Sequence, residues 1–210
     1  PAGTEVAVGY ADGKVALFDA RSGRELQSAN VFGVNDVEFV GSTGELAIAT
    51  EQGLALWQPQ NRSRCCDILS HEQANTIAAD PRNPLEFAVT TVNGTVIWNV
   101  SGSGKPRQQR LPQGPWSTND AAFSPEGSEV VTADSDGNVR VYDLATFKAV
   151  MTLDAGEANA WSVAFSPHGK RIVAGYSSGR ARVWDVSTRL QLTLLAGSAS
   201  GVEAARFNAD

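Results

Sequence analysis

One pairing recurs along this chain at a nearly constant interval. An aromatic residue followed by a short polar or acidic one occurs at Phe18-Asp19, Trp57-Gln58, Trp98-Asn99, Tyr142-Asp143 and Trp184-Asp185, with spacings of 39, 41, 44 and 42. A glycine stands four or five residues before each aromatic, at Gly13, Gly53, Gly94, Gly137 and Gly179. Three of these lie in Asp-Gly or Asn-Gly pairs between alternating runs. Both residue types tolerate positive φ, so the pairs signal tight hairpins. A second landmark keeps the same step: Phe39, Ala79, Phe123, Phe165 and Phe207 close short apolar runs, with spacings of 40, 44, 42 and 42. Most are followed by a turn, as in Asp80-Pro81, Ser124-Pro125 and Ser166-Pro167. Two landmarks with one period of about 42 residues describe a repeated supersecondary unit.

The stretches "VAFSPHGKRIVAGYSSGRARVWDVSTR" and "AAFSPEGSEVVTADSDGNVRVYDLATF" resemble repeats of the WD40 family, and the resemblance extends over essentially the whole chain. It implies an all-β fold, a β-propeller of four-stranded antiparallel blades, with about five blades here. The repeats fall at 1–30 plus 199–210, 31–70, 71–112, 113–154 and 155–198, within a single domain of residues 1–210. The first lacks an inner strand, and "GVEAARFNAD" at the other end is an inner strand with nothing after it. The C-terminal segment is therefore expected to complete the first blade. Five blades are fewer than the family's usual seven, so the chain forms either a five-blade ring or part of a larger propeller. In the fifth repeat the strands are placed at 162–166, 171–176, 181–185 and 190–195. Phe18, Trp57, Trp98, Tyr142 and Trp184 are then structural wedges between blades.

The sequence departs from the family pattern in one respect. The Gly-His expected before each inner strand is missing, and only Ser70-His71 approaches it. The buried hydrogen-bond chain that the family builds from that histidine is expected to be incomplete.

Little points to chemistry. There is no G-x-S-x-G, phosphate-binding loop or H-E-x-x-H. His168 lies in a turn, and His71 is read as structural. Cys65-Cys66 has no second pair with which to hold a metal. "DSDGN" (134–138) lacks the twelfth-position glutamate of a calcium loop, having Ala145 there. Of the three N-x-S/T triplets, at Asn61, Asn93 and Asn99, the second is explained by its turn. No catalytic residue, metal or cofactor is therefore assigned, and the chain is read as a non-enzyme. A net charge of −6 argues against a general nucleic-acid binder. No apolar run is long enough to span a membrane, and the N-terminus shows no signal pattern. An intracellular location, cytoplasmic rather than nuclear, is the expectation.

Recognition remains. In the family arrangement the hairpin turns and the blade-to-blade connections share one rim. That rim gathers Asp12, Glu51, Asp134, Asp136 and Glu157 against Arg180 and His71, together with Phe32, Trp116 and Trp161. Aromatics among acids suit a protein partner presenting a basic peptide with an apolar anchor. One alternative is a phosphate or nucleic-acid patch built from Lys105, Arg107 and Arg110 of the third blade and Lys170, Arg171, Arg180, Arg182 and Arg189 of the fifth. Another is an enzyme centred on the channel, using Glu38, Asp120 and Glu203. An incomplete ring would also favour self-association.

Overall fold

A computed structural model describes residues 3–40, 44–60, 67–100, 106–197 and 199–208. Asn61, Cys65, Cys66 and Lys105 lie outside the described residues. Nineteen strands form five antiparallel sheets, and no helix occurs among the described residues. Blade one holds β1 (Glu5–Gly9), β2 (Lys14–Asp19) and β3 (Glu25–Asn30). Blade two holds β4 (Val34–Val40), β5 (Glu45–Thr50), β6 (Gly53–Trp57) and β7 (Asp67–Ser70). Blade three holds β8 (Ala74–Ala79), β9 (Glu86–Thr91), β10 (Gly94–Asn99) and β11 (Arg107–Arg110). Blade four holds β12 (Thr118–Phe123), β13 (Glu129–Asp134), β14 (Asn138–Asp143) and β15 (Lys148–Asp154). Blade five holds β16 (Ala160–Phe165), β17 (Arg171–Tyr176), β18 (Arg180–Asp185) and β19 (Gln191–Ala196). Each sheet is a meander in chain order.

The recurring aromatic has one register throughout. It pairs with the second residue of the preceding strand, as in Val6–Phe18, Leu46–Trp57, Phe87–Trp98, Val130–Tyr142 and Ile172–Trp184. Its polar neighbour works outside the sheet. Asp19, Asp143 and Asp185 accept the backbone N–H groups of Ser22, Thr146 and Thr188 at 2.7, 2.8 and 2.8 Å, closing the turn into the outer strand. Gln58 and Asn99 instead donate to Glu45 and Glu86, tying two strands of their own blade.

Glycine is required where the hairpin meets the connection. At Gly137, φ is +85°, and a Cβ there would lie 1.9 Å from the Glu157 carbonyl oxygen. Gly53 meets the Ser70 carbonyl in the same way.

The core lies between the blades in four apolar clusters. Trp57 packs on Val15 of blade one, Trp98 on Ala49 and Leu54 of blade two, and Tyr142 on Ile97 of blade three. Trp184 shares a cluster with Val141, Met151 and Leu153 of blade four. Each wedge thus faces the preceding blade. Among the described residues no blade packs before Phe18, and Phe18 is only half-buried.

The C-terminal segment departs from expectation. Blade one has three hydrogen-bonded strands among the described residues, β1–β2–β3. Residues 201–208 lie instead beside blade five. The Val202 N–H donates to the Tyr176 carbonyl at 2.9 Å, and Val202 packs over Gly175. Arg206 reaches the Val163 carbonyl at 3.2 Å and the Asp120 carboxylate at 3.1 Å. The segment occupies the place an inner strand of a following blade would take. Among the described residues, Val6 of blade one and Leu195 of blade five are exposed on the faces turned away from the other blades.

Candidate functional site: rim and channel

The rim residues separate into three groups. In blade four, Asp134 is fully buried at the end of β13. It accepts hydrogen bonds from Thr118 (3.0 Å), Gln113 (3.1 Å) and Thr132 (3.3 Å), and it is ion-paired with Arg140. Asp136, on the hairpin turn, pairs with the same guanidinium at 2.6 Å. The Arg140 guanidinium lies 4.1 Å from the centre of the Trp116 ring, a cation–π contact, and the ring lies against Gly114. Burial raises the Asp134 carboxyl above its ordinary value despite Arg140, while Arg140 and Asn138 hold Asp136 below its own despite partial burial. This is a buried polar network without a histidine. The incomplete chain expected from the sequence is replaced here by Gln113 and Arg140.

Blade five solves the same problem differently. Arg182 stands one repeat after Arg140, but the positions of Asp134 and Asp136 are taken by Tyr176 and Ser178. Arg182 turns instead to Glu157 on the incoming connection, at 2.7 Å, and Arg180 joins at 3.2 Å. The Glu157 side chain is 5% exposed. The Arg182 hydrogen bond, helped by Ser178 and Arg180, lowers its carboxyl to about 2.

The third group lies at blades one and two. Phe32 is 67% exposed on the connection between them. The Asp12-Gly13 turn abuts Val31 and Phe32, and Glu51 lies against Gly33. Neither Asp12 nor Glu51 has an ion pair among the described residues.

Trp161 belongs to the channel. Its ring rests on Gly201 and lines a central cavity of about 600 Å³, together with Asp36, Glu38, Asp120, Glu203 and Arg206. The inner strands carry β-bulges near their starts, which leave backbone N–H groups without ladder partners. Two aspartates use this. Asp36 accepts from Val37 at 2.9 Å and, across the junction, from Ile77 at 2.8 Å. Asp120 accepts from Ala121 at 2.9 Å and from Val163 at 3.0 Å. Burial raises both carboxyls, and that of Glu38, above their ordinary values. Among the described residues no group of three or more His, Cys, Asp or Glu side chains converges as a metal would need.

A ladder of amides runs one residue earlier. Asn35 donates to the Ala74 carbonyl at 2.8 Å, Asn75 to Thr118 at 3.1 Å and Asn119 to Ala160 at 2.6 Å. Trp161 occupies the fourth rung. Sequence reasoning missed this ladder, although its spacings of 40 and 44 match the repeat. It also missed Arg140, Gln113 and Arg206. Of the basic candidates, Arg110 is ion-paired with Glu72, and Arg180 and Arg182 with Glu157.

Radially stacked four-stranded meanders define a β-propeller. Residues 110–143 and 147–185 match the WD40 family model (WD domain, G-beta repeat), which covers most of blades four and five. No curated protein matches the chain in sequence. Among solved structures, the β-propeller domain of Myceliophteria thermophila Cps50 (Swd1) superposes with a TM-score of 0.74 at 15% identity, over 88% of this chain. The chain covers 62% of that domain's length. The chain has the β-propeller fold, and its fourth and fifth blades carry WD40 repeats. Propellers of this family generally serve as protein-interaction scaffolds.

Proposed function

We propose that the protein is a non-catalytic, intracellular scaffold whose rim binds a partner through a basic peptide with an apolar anchor. The observation carrying this reading is Phe32. It is a large aromatic left 67% exposed, beside two carboxylates, Asp12 and Glu51, that form no ion pair among the described residues, with Lys14 near Asp12 but paired to Glu25. Such a ring supplies contact area at low conformational cost, and unpaired acids beside it select positive charge.

Trp116, Asp134, Asp136, Glu157 and Arg180 support the rim rather than offer free groups, because each is engaged within its own blade or with a neighbouring connection. Trp161 lines the channel below. The contact surface proposed is therefore the blade one to blade two sector.

A labelled peptide with a leucine between lysines tests the reading by fluorescence anisotropy. Binding is expected to weaken about tenfold, or about 1.4 kcal/mol, in Phe32→Ala. It should weaken with added salt and in Asp12→Asn/Glu51→Gln. Equal binding by Phe32→Ala and the parent, or no binding at low salt, removes the proposal.

A further inference from the structure

Blades four and five share one geometry at the end opposite the rim, with the charge reversed. There the turn between the first two strands lies beside the turn between the last two. The Val186 N–H donates to the Lys170 carbonyl at 3.0 Å in blade five, and the Leu144 N–H to the Ser128 carbonyl at 3.0 Å in blade four. Gly169 lies against Pro125, so the two lower ends are contiguous. Glu126, Ser128, Glu129 and Phe147 of blade four stand one repeat before His168, Lys170, Arg171 and Arg189 of blade five. Both blades fold alike, so the fold does not ask for these charges. Internal pairing does not ask for them either. Lys170, Arg171 and Arg189 are exposed, and their side chains form no ion pair or hydrogen bond among the described residues. Arg189 also holds φ at +63°, in the left-handed region. At the same place in blade one, Gly23 has φ +69° and donates to the Asp19 carbonyl as Arg189 donates to that of Asp185. Glycine suits this conformation better than arginine, so local structure does not select Arg189.

We propose that the lower end of blade five binds an acidic segment of a protein partner through Lys170, Arg171 and Arg189, with an apolar side chain of that segment packed on Leu190. Leu190 is 64% exposed and follows Arg189 directly. Its carbonyl accepts the Asp185 N–H at 3.0 Å, and Arg171 stands opposite Asp185 on the neighbouring strand. Cations and apolar side chain thus share one end of the sheet. Asp185 is the acid among them, and its carboxylate is occupied by the Ser187 hydroxyl at 2.6 Å and the Thr188 N–H at 2.8 Å. Exposed, unpaired cations select carboxylates on a partner. Leu190 specifies a protein segment, because a phosphate backbone has nothing to pack on it. The chain's net charge of −6 further disfavours a long polyanion, whereas a short acidic segment meets only the local patch. This site lies at the other end of the blades from Phe32 and does not rest on the peptide-binding reading of the rim.

Fluorescence anisotropy with a labelled peptide holding a leucine between glutamates tests this. Binding is expected at low salt and should weaken as salt is added. Lys170→Ser/Arg171→Glu, which copies the blade-four residues, should weaken it about tenfold. Arg189→Gly should weaken it about threefold while melting no lower than the parent, because glycine suits this backbone. Leu190→Ser, at an exposed position, should also weaken it about threefold with parent-like melting. Phe32→Ala should bind this peptide as the parent does, which separates the site from the rim. No binding at low salt overturns the proposal. So does equal binding by Arg189→Gly or Leu190→Ser and the parent, or a loss of binding in Phe32→Ala. A thymidine oligonucleotide that binds more tightly than the peptide also overturns it.

Discussion

Blades four and five are nearly the same sheet in different company. Leu153 and Leu195 stand one repeat apart at equivalent places on the outer strand, yet one is 3% exposed and the other 51%. Met151 is buried where Thr193 is exposed, and Val141 is fully buried where Val183 is half-exposed. Strand positions and aromatic register are shared. What differs is that blade four has a blade on each side, and blade five has one on a single side plus residues 201–208. A blade's internal geometry is therefore written within its own repeat, whereas its stabilisation comes from its neighbours, as expected of architectures whose units contact only adjacent units.

Substitutions can break that comparison. Trp184→Ala removes a ring 2% exposed at the blade four to five junction and should cost about 3–5 kcal/mol in urea unfolding. Phe18→Ala, at the equivalent place without a preceding blade, should cost less than half as much at concentrations where the chain is monomeric. Equal losses would mean that wedges act within their own blade. Leu153→Ala should cost about 2–4 kcal/mol, and Leu195→Ala about 0.5 kcal/mol or less under the same conditions.

Acid titration sharpens the contrast with a smaller effect. Glu157 has a folded value of about 2 against an ordinary 4.5. Above pH 4.5 both folded and unfolded forms are ionised, and the stabilisation is fully present. As pH falls toward 2 the unfolded chain takes up its proton first, and the stabilisation is lost. Glu157→Gln should flatten this limb of a melting-temperature profile. Asp120 has the opposite sign. Its carboxyl is raised above 3.8, so the unfolded chain ionises first as pH rises, and its burial cost appears through that window. Asp120→Asn should remove that decline, and a profile shifted the same way by both variants would contradict the assignments.

Much of the blade could be read before any coordinates. The fifth repeat's strands, expected at 162–166, 171–176, 181–185 and 190–195, form at 160–165, 171–176, 180–185 and 191–196. Alternation, Gly-containing hairpins and a periodic aromatic are local signals, and strand pairing within a meander is local as well. The ion pairs were not legible. Arg140 and Arg182 occupy the same register, and their partners depend on whether an acid lies on the hairpin or on the incoming connection. The placement of residues 201–208 was misjudged for a related reason. Their pattern shows an inner strand but not which sheet receives it, because a strand of this kind also packs on the blade before it. Phe32 was picked out as a rim aromatic, and its exposure follows from the connection around it.

The carboxylate links between inner strands do not occur at every seam. Asp36 joins blades two and three, and Asp120 joins four and five. At the seam between three and four the equivalent residue is Thr76, which bonds to Thr90 in its own blade. Under tension the two Asp-stapled seams should therefore outlast the seam between blades one and two, while the seam between three and four is held by Asn75 on the Thr118 carbonyl and Arg82 on Pro125 and Glu126.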